Sequence, residues 1–284
     1  MKSTLNYAEF YITNHCNIAC NGCNRFNNYK YSGSENWAAY RDVYEEWSTL
    51  IDINHIAILG GEPLLHPKLI DIVNDVRSFW PESKLEITTN GLLIERIKPQ
   101  LLQCLIDNNV QIYCSIHKES FKEQINKSII DKFGDINLLS SRRPFKDKPA
   151  GTDTFSSATG NTIILEYTYY FHQSALVKTK DNKFTLHKSN PKKSHLRCDM
   201  KRSHHFSKGN LHKCGLMVTL PQMIEQKPEM FDIGEQQLDL LDQYQPIGLE
   251  QLKSNNDILK QLSNPIAQCE FCPEEYHYHE IFPD

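Results

Sequence analysis

The sequence predicts an α/β fold built on a parallel sheet that is closed, or partly closed, into a barrel. Three observations carry that expectation. Short apolar runs of strand length alternate with helix-like runs from residue 9 to residue 132, the runs end in glycine- or asparagine-bearing turns, and cysteines cluster just after the first run.

The elements follow in order. Glu9 to Thr13 has strand character and delivers Cys16, Cys20 and Cys23 at its carboxyl end. His55 to Leu59 is a short apolar strand ending in Gly60-Gly61-Glu62-Pro63. A helix is predicted from near Pro67, at the favoured first helical position, with Leu69, Ile72, Val73, Val76 and Phe79 on one face. A strand Leu85 to Thr88 ends in Thr89-Asn90-Gly91, followed by a helix Ile94 to Ile106, a strand Val110 to Ile116 and a more polar helix Lys118 to Lys132. Ser140 to Asn161, with Arg142-Arg143-Pro144 and several Gly, Ser and Thr, has loop composition, and reads as a lid or a plain insertion. Thr162 to His172 is strand-like again. The basic stretch Lys188 to Lys208 reads as a solvated connector between domains, or as an attractor for a phosphate or carboxylate.

With 284 residues the chain is long enough to bury a full core, and a formal charge of −4 gives no net drive toward nucleic acid or an anionic membrane. Met1 to Asn14 lacks the apolar core of a signal peptide, and no apolar run approaches the ~18 residues of a spanning helix. The expected location is the cytoplasm, where nine cysteines do not form a disulfide framework. Metal or cluster ligation is the leading alternative. Cys16, Cys20 and Cys23 form a C-x3-C-x2-C loop with Gly22 inside it. Three thiolates can hold three irons of a cubane and leave the fourth iron open, whereas a zinc loop normally wants four ligands.

The three turn motifs in this order, at the ends of successive strands, resemble the radical S-adenosylmethionine (SAM) superfamily over roughly residues 8 to 180. One departure stands out, since family members commonly carry an aromatic residue just before the third cysteine and this chain has Gly22; Phe26 is the nearest substitute. The resemblance implies a partial (β/α)6 TIM-like barrel over residues 1–190. It also implies a 4Fe-4S cluster on Cys16, Cys20 and Cys23 that binds S-adenosyl-L-methionine, and one-electron cleavage of that cofactor to a 5′-deoxyadenosyl radical. In that picture Gly60 and Gly61 allow close backbone approach to the cofactor, Glu62 accepts from its ammonium group, Pro63 fixes the turn, and Thr88, Asn90 and Ser115 are further contacts. For Thr88 and Ser115, hydroxyls satisfied by backbone are an equal reading.

Cys198 and Cys214, spaced C-x10-G-x4-C around Gly209, with Cys269-x2-Cys272, resemble the auxiliary-cluster extension called a twitch domain, here residues 191–284. The longer SPASM version carries three more cysteines, and none follows Cys272. Four thiolates suffice for one further 4Fe-4S cluster, and a four-cysteine zinc site is the alternative. Of the remaining two, Cys104 reads as a core filler, and Cys114 as pointing outward against helices if Ser115 points into the barrel.

The leading expectation is an oxidoreductase-type enzyme that abstracts a hydrogen atom from a small polar substrate (a sugar, aminocyclitol or nucleotide-linked metabolite) and oxidises it with help from the auxiliary cluster. A flavodoxin- or ferredoxin-type donor would supply electrons. The barrel and auxiliary domain account for nearly the whole chain, so no separate leader-peptide-binding module is expected. Substrate-site candidates are His117, Glu166, Tyr167, Tyr169 and His172, each also readable as ordinary packed or exposed polar residues. The alternatives are a peptide-modifying maturase or epimerase, and a zinc-stabilised binding module.

Overall fold

The structure is a computed structural model that describes residues 2–142, 150–172, 175–276 and 278–282. Its centre is one nine-stranded sheet. In chain order its strands are β1 (Ala8–Tyr11), β2 (His55–Leu59), β3 (Lys84–Thr89), β4 (Gln111–Ile116), β5 (Ile136–Arg142), β6 (Ala150–Ser157), β7 (Thr162–Thr168), β8 (His204–Ser207) and β9 (Asn210–His212). The spatial order is β9-β8-β1-β2-β3-β4-β7-β6-β5. Six neighbours, β8 through β7, run parallel, with β9 at one edge and the β5–β6 hairpin at the other running antiparallel. Residues from β1, β2, β3, β4 and β7 line one cavity, so the sheet curves into a partial barrel, as the alternation of runs predicts.

The sixth parallel strand comes from far along the chain. β8 pairs with β1 through His204, His205 and Phe206, and β9 returns beside it. Their two-residue turn, Lys208-Gly209, has φ of 49° and 76°, the left-handed pair that a tight hairpin needs. Gly209 of the cysteine-spacing motif is therefore a turn glycine. The Trp47 indole ties α1 (Trp37–Leu50) to it by donating to its carbonyl at 3.0 Å.

Helices cover the outer face. α1, α2 (Leu69–Phe79), α3 (Pro99–Asp107) and α4 (Lys122–Phe133) lie between successive sheet elements. All five apolar residues predicted for one face of α2 are buried. The helix expected over Ile94 to Ile106 is split: Ile94–Arg96 is a single 3₁₀ turn, and α3 starts only at Pro99. The proline ring drives Lys98 to an extended conformation, φ −73° and ψ 152°, which interrupts the helix. α4 likewise starts after a short 3₁₀ turn and stops at Gly134, φ +72°.

The largest difference from the sequence expectation lies at Ser140 to Asn161. Its described residues are mostly strand rather than loop. Ile136–Arg142 and Ala150–Ser157 form a hairpin whose second strand pairs with β7 from Ala150↔Thr168 to Ser156↔Thr162. Its Ser and Thr residues tolerate solvent while the backbone is satisfied by the ladder, and Arg143 and Pro144 lie outside the described residues. The strand-like run Thr162 to His172 is two strands: β7, and a short Tyr170–His172 strand that pairs antiparallel with Tyr278–Glu280 near the C-terminus.

Candidate functional site

Cys16, Cys20 and Cys23 line a single cavity of about 450 Å3 inside the barrel. The loop that carries them is held from below by the Gly60-Gly61 turn. Gly61 N–H donates to the Thr13 carbonyl at 2.7 Å and Glu62 N–H to the His15 carbonyl at 2.7 Å. A Cβ on Gly60 would lie 2.4 Å from the Thr13 carbonyl oxygen, and one on Gly61 2.4 Å from that of His15. The glycines thus allow two loops to touch. From above, Asn21 N–H donates to the Ile281 carbonyl at 3.0 Å, and the His279 ring fills the space a side chain at Gly22 would take. Phe26 does not take that place. It is buried in a second apolar cluster with Tyr31, Met217 and Phe271.

Thr88, Asn90 and Ser115 line the cavity together with Gly60 and Gly61. Asn90 Nδ2 donates to Asn17 in the cysteine loop at 2.8 Å. Glu62 and Pro63 are buried and do not line the cavity. The Glu62 carboxylate accepts from Thr89 Oγ1 at 2.8 Å, Asn90 N–H at 2.9 Å and Leu64 N–H at 3.1 Å, so it ties the β2 turn to the β3 turn. Burial pushes its carboxyl up to about 7 against those hydrogen bonds.

The barrel interior is acidic. Glu9, Glu86 and Glu166 all line the cavity, with Tyr7, His55, Tyr113 and His117 among them. Glu9 is ion-paired to Arg25 at 2.7 Å and to His205. Burial works to raise its carboxyl, and His205 and Arg25 overcome that to hold it at about 2. Glu86 accepts from Gln111 Nε2 at 2.5 Å and Thr88 Oγ1 at 3.2 Å, and lies 3.1 Å from His55 Nε2. Glu166 accepts from Ser115 Oγ at 3.2 Å and is raised, chiefly by burial. His117 is lowered by burial and packs edge-on against Phe171. Of the remaining candidates, Tyr167 faces Lys122, whose Nζ sits 4.9 Å from its ring, and Tyr169 donates to Glu119; neither lines the cavity. His172 stacks on Tyr276 at 4.4 Å and lines a separate space of about 80 Å3 beside Cys198, Cys214 and Cys272.

Those three cysteines and Cys269 surround a small, mostly apolar cavity of about 30 Å3. Burial pushes the Cys198 thiol up to about 11 and raises Cys214, Cys269 and Cys272 as well. The segment Asn24–Phe26 and Met200 stand between the two cysteine sets, since Asn24, Arg25 and Met200 line both the large cavity and the space beside His172. Gly215 leaves room there: its Cβ would run into the Arg25 guanidinium. Cys104 and Cys114 are buried in the outer core and line neither space.

Residues 10–133 match the sequence pattern of the radical SAM superfamily. This segment is a radical SAM domain. The chain is 28% identical over 131 residues, 45% of its length and 39% of the relative's, to GTP 3′,8-cyclase of Sulfurovum sp. (strain NBC37-1). It is 30% identical over 99 residues, 34% of its length and 31% of the relative's, to the same-named protein of Nautilia profundicola. It thus spans about two fifths or less of the curated relatives it matches. Among solved structures it is similar to BtrN in complex with AdoMet and 2-DOIA, at 19% identity, 98% and 100% coverage and a TM-score of 0.46. It is also similar to Streptococcus suis SuiB bound to precursor peptide SuiA, at 16% identity, 46% and 38% coverage and a TM-score of 0.33.

A radical SAM domain uses SAM and a 4Fe-4S cluster, and the residues present fit that pair. Three thiols share one cavity, and burial and their mutual repulsion raise Cys20, a cost that binding to a cationic cluster core removes. Burial also pushes Cys16 up to about 11. Glu9, Arg25 and Glu86 are not among the candidate residues that the sequence singles out. A signal for the two carboxylates was there: Ala8-Glu9-Phe10 and Leu85-Glu86-Ile87, like Leu165-Glu166-Tyr167, each set a glutamate between apolar residues in a strand. No helix of the described residues is long and apolar enough to cross a membrane.

Proposed function

We propose that this chain is a radical SAM oxidoreductase acting on a small polar molecule, with Cys16, Cys20 and Cys23 holding the SAM-binding cluster. When bound, cluster and SAM supply a 5′-deoxyadenosyl radical able to abstract a hydrogen atom from an unactivated carbon. The observation that carries the reading is the continuity of one cavity from the three cysteines to a polar barrel floor. Asn90 and the backbone of Gly60 and Gly61 bind the cofactor at the mouth. Glu62 acts as a positioning residue by holding the Asn90 turn against the Gly61 turn.

Glu86, Glu166, Thr88, Tyr113 and Ser115 orient the substrate by accepting from and donating to its hydroxyl or amino groups. A volume of about 450 Å3 suits a metabolite-sized ligand. Among the described residues the lining's one guanidinium, Arg25, is already committed to Glu9, which leaves a poor seat for a triphosphate. In this reading residues 1–190 supply the barrel and 191–284 the auxiliary portion, whose strands β8 and β9 complete the sheet. Cys198, Cys214, Cys269 and Cys272 would hold a second 4Fe-4S cluster, which would supply an acceptor for the second electron of a two-electron oxidation, and a flavodoxin- or ferredoxin-type protein would be the external electron donor.

The test is an anaerobic assay of reconstituted protein with SAM, a reductant and a panel of amino sugars, cyclitols, nucleotides and peptides. Formation of 5′-deoxyadenosine together with a product two mass units lighter supports the oxidoreductase reading. 5′-Deoxyadenosine with an isomeric product replaces it with an epimerase, and turnover of peptides alone replaces it with a maturase. About four irons per cysteine set, with equal acid-labile sulfide, supports the clusters, whereas zinc in both sets refutes them.

A further inference from the structure

An ammonium group taken out of water needs negative charge beside it, or the burial is costly. Lys213 is in that position. The residue is 4% exposed, and its Nζ donates to the Leu262 carbonyl and lies 3.3 Å from His195 Nε2. It lines the small cavity together with Cys198, Cys214, Cys269 and Cys272, and among the described residues no Asp or Glu lines that cavity.

Its placement is rigid. The Lys213 N–H donates to Tyr244 Oη at 2.9 Å, and its carbonyl lies 2.9 Å from His204 Nδ1, at the start of the strand that joins the barrel sheet. The Lys213 backbone is therefore held next to Cys214, and its side chain lines the same small cavity as the four cysteines. Four protonated thiols offer a buried cation little, but four thiolates around a cubane cluster leave a dianionic centre, for which one fixed cation is a fitting neighbour.

We infer that Lys213 is the built-in counter-ion of the four-cysteine centre and makes that centre a better electron acceptor than four thiolates alone would. Adding an electron adds negative charge, which a fixed neighbouring cation favours. The inference rests on the reading of Cys198, Cys214, Cys269 and Cys272 as cluster ligands given above.

The experiment uses the full chain carrying Cys16→Ala, Cys20→Ala and Cys23→Ala, reconstituted anaerobically so that only the auxiliary centre absorbs. Its midpoint potential is read by spectroelectrochemical titration with Lys213, Lys213→Met and Lys213→Arg. The expected result is a more negative midpoint for Lys213→Met and a midpoint near the parent value for Lys213→Arg. Loss of iron from Lys213→Met alone, with an unchanged circular dichroism spectrum, also supports a counter-ion. An unchanged midpoint in Lys213→Met overturns the inference and leaves the cluster reading intact. So does an equal effect of both substitutions on midpoint or iron content, which reports packing rather than charge. A parent protein with zinc and no iron in this centre overturns the cluster reading itself, and the inference with it.

Discussion

The two faces of the same parallel strands could hardly differ more. Outward, under the helices, stand Ile56, Ile58, Leu85, Ile87, Ile112, Cys114, Ile163 and Leu165, all buried in one apolar cluster. Inward, one residue along on the same sheet, stand Glu9, Glu86, Thr88, Tyr113, Ser115 and Glu166. A barrel interior is usually filled with layers of branched apolar side chains. Here the interior is given over to polar groups, and folding energy comes from the outer face. The lesson is a division of labour within single strands: the period of two that sets aliphatic residues against the helices also sets carboxylates into the cavity.

The sharpest way to isolate the inner face is at its mouth. Cys20→Ala should abolish iron binding at the first site and reduce 5′-deoxyadenosine formation to background, with near-parental thermal stability of the cluster-free chain. Next in size, the two faces should dissociate. Ile87→Ala should cost about 2–5 kcal/mol of stability in urea denaturation while turnover per folded molecule holds. Glu166→Gln and Glu86→Gln should do the reverse, lowering turnover about 10- to 100-fold, as expected for a lost hydrogen bond to a charged group, with little change in melting temperature. A Glu166→Gln enzyme with parental kinetics would remove the carboxylate from the substrate site. Gly61→Ala should act between the faces, loosening the cysteine loop where its Cβ meets the His15 carbonyl. The readout is a lower iron content at unchanged circular dichroism.

The smallest effect is a pH dependence. Glu62 titrates near 7 in the folded chain and near 4.5 when unfolded, because burial disfavours its charged form. Between those values the folded chain holds a proton that the unfolded chain has lost, so stability of the cluster-free protein falls as pH rises through that window. Glu35, also raised by burial to about 7, contributes in the same direction. Glu62→Gln should flatten the fall measured by urea denaturation between about pH 5 and 7.5. Glu9 runs the other way: its stabilisation is present above 4.5 and is lost as pH drops toward 2.

What the sequence determined by itself is whatever local pattern encodes. The cysteine spacing, the Gly60-Gly61 and Asn90-Gly91 turns, the five-residue apolar face of α2 and the positions of β1, β2, β3, β4 and β7 are all readable over windows of a few residues, because side-chain direction repeats every two or 3.6 positions. That was enough for the α/β class and for bringing His117, Glu166 and Ser115 to one cavity. Only the tertiary structure decided which distant pieces meet. It made strands of residues 140–142 and 150–157, since a ladder partner outweighs loop-like composition. It drew residues 204–207 into the barrel sheet beside β1, and it set His172 beside Cys198, Cys214 and Cys272 instead of in the large cavity. It also gathered Glu9 and Glu86 with Glu166, and set Lys213 against four thiols brought together from residues 198 to 272. These meetings depend on pairings across tens to hundreds of residues, and their energy comes from burial and charge that exist only once the sheet has closed around them.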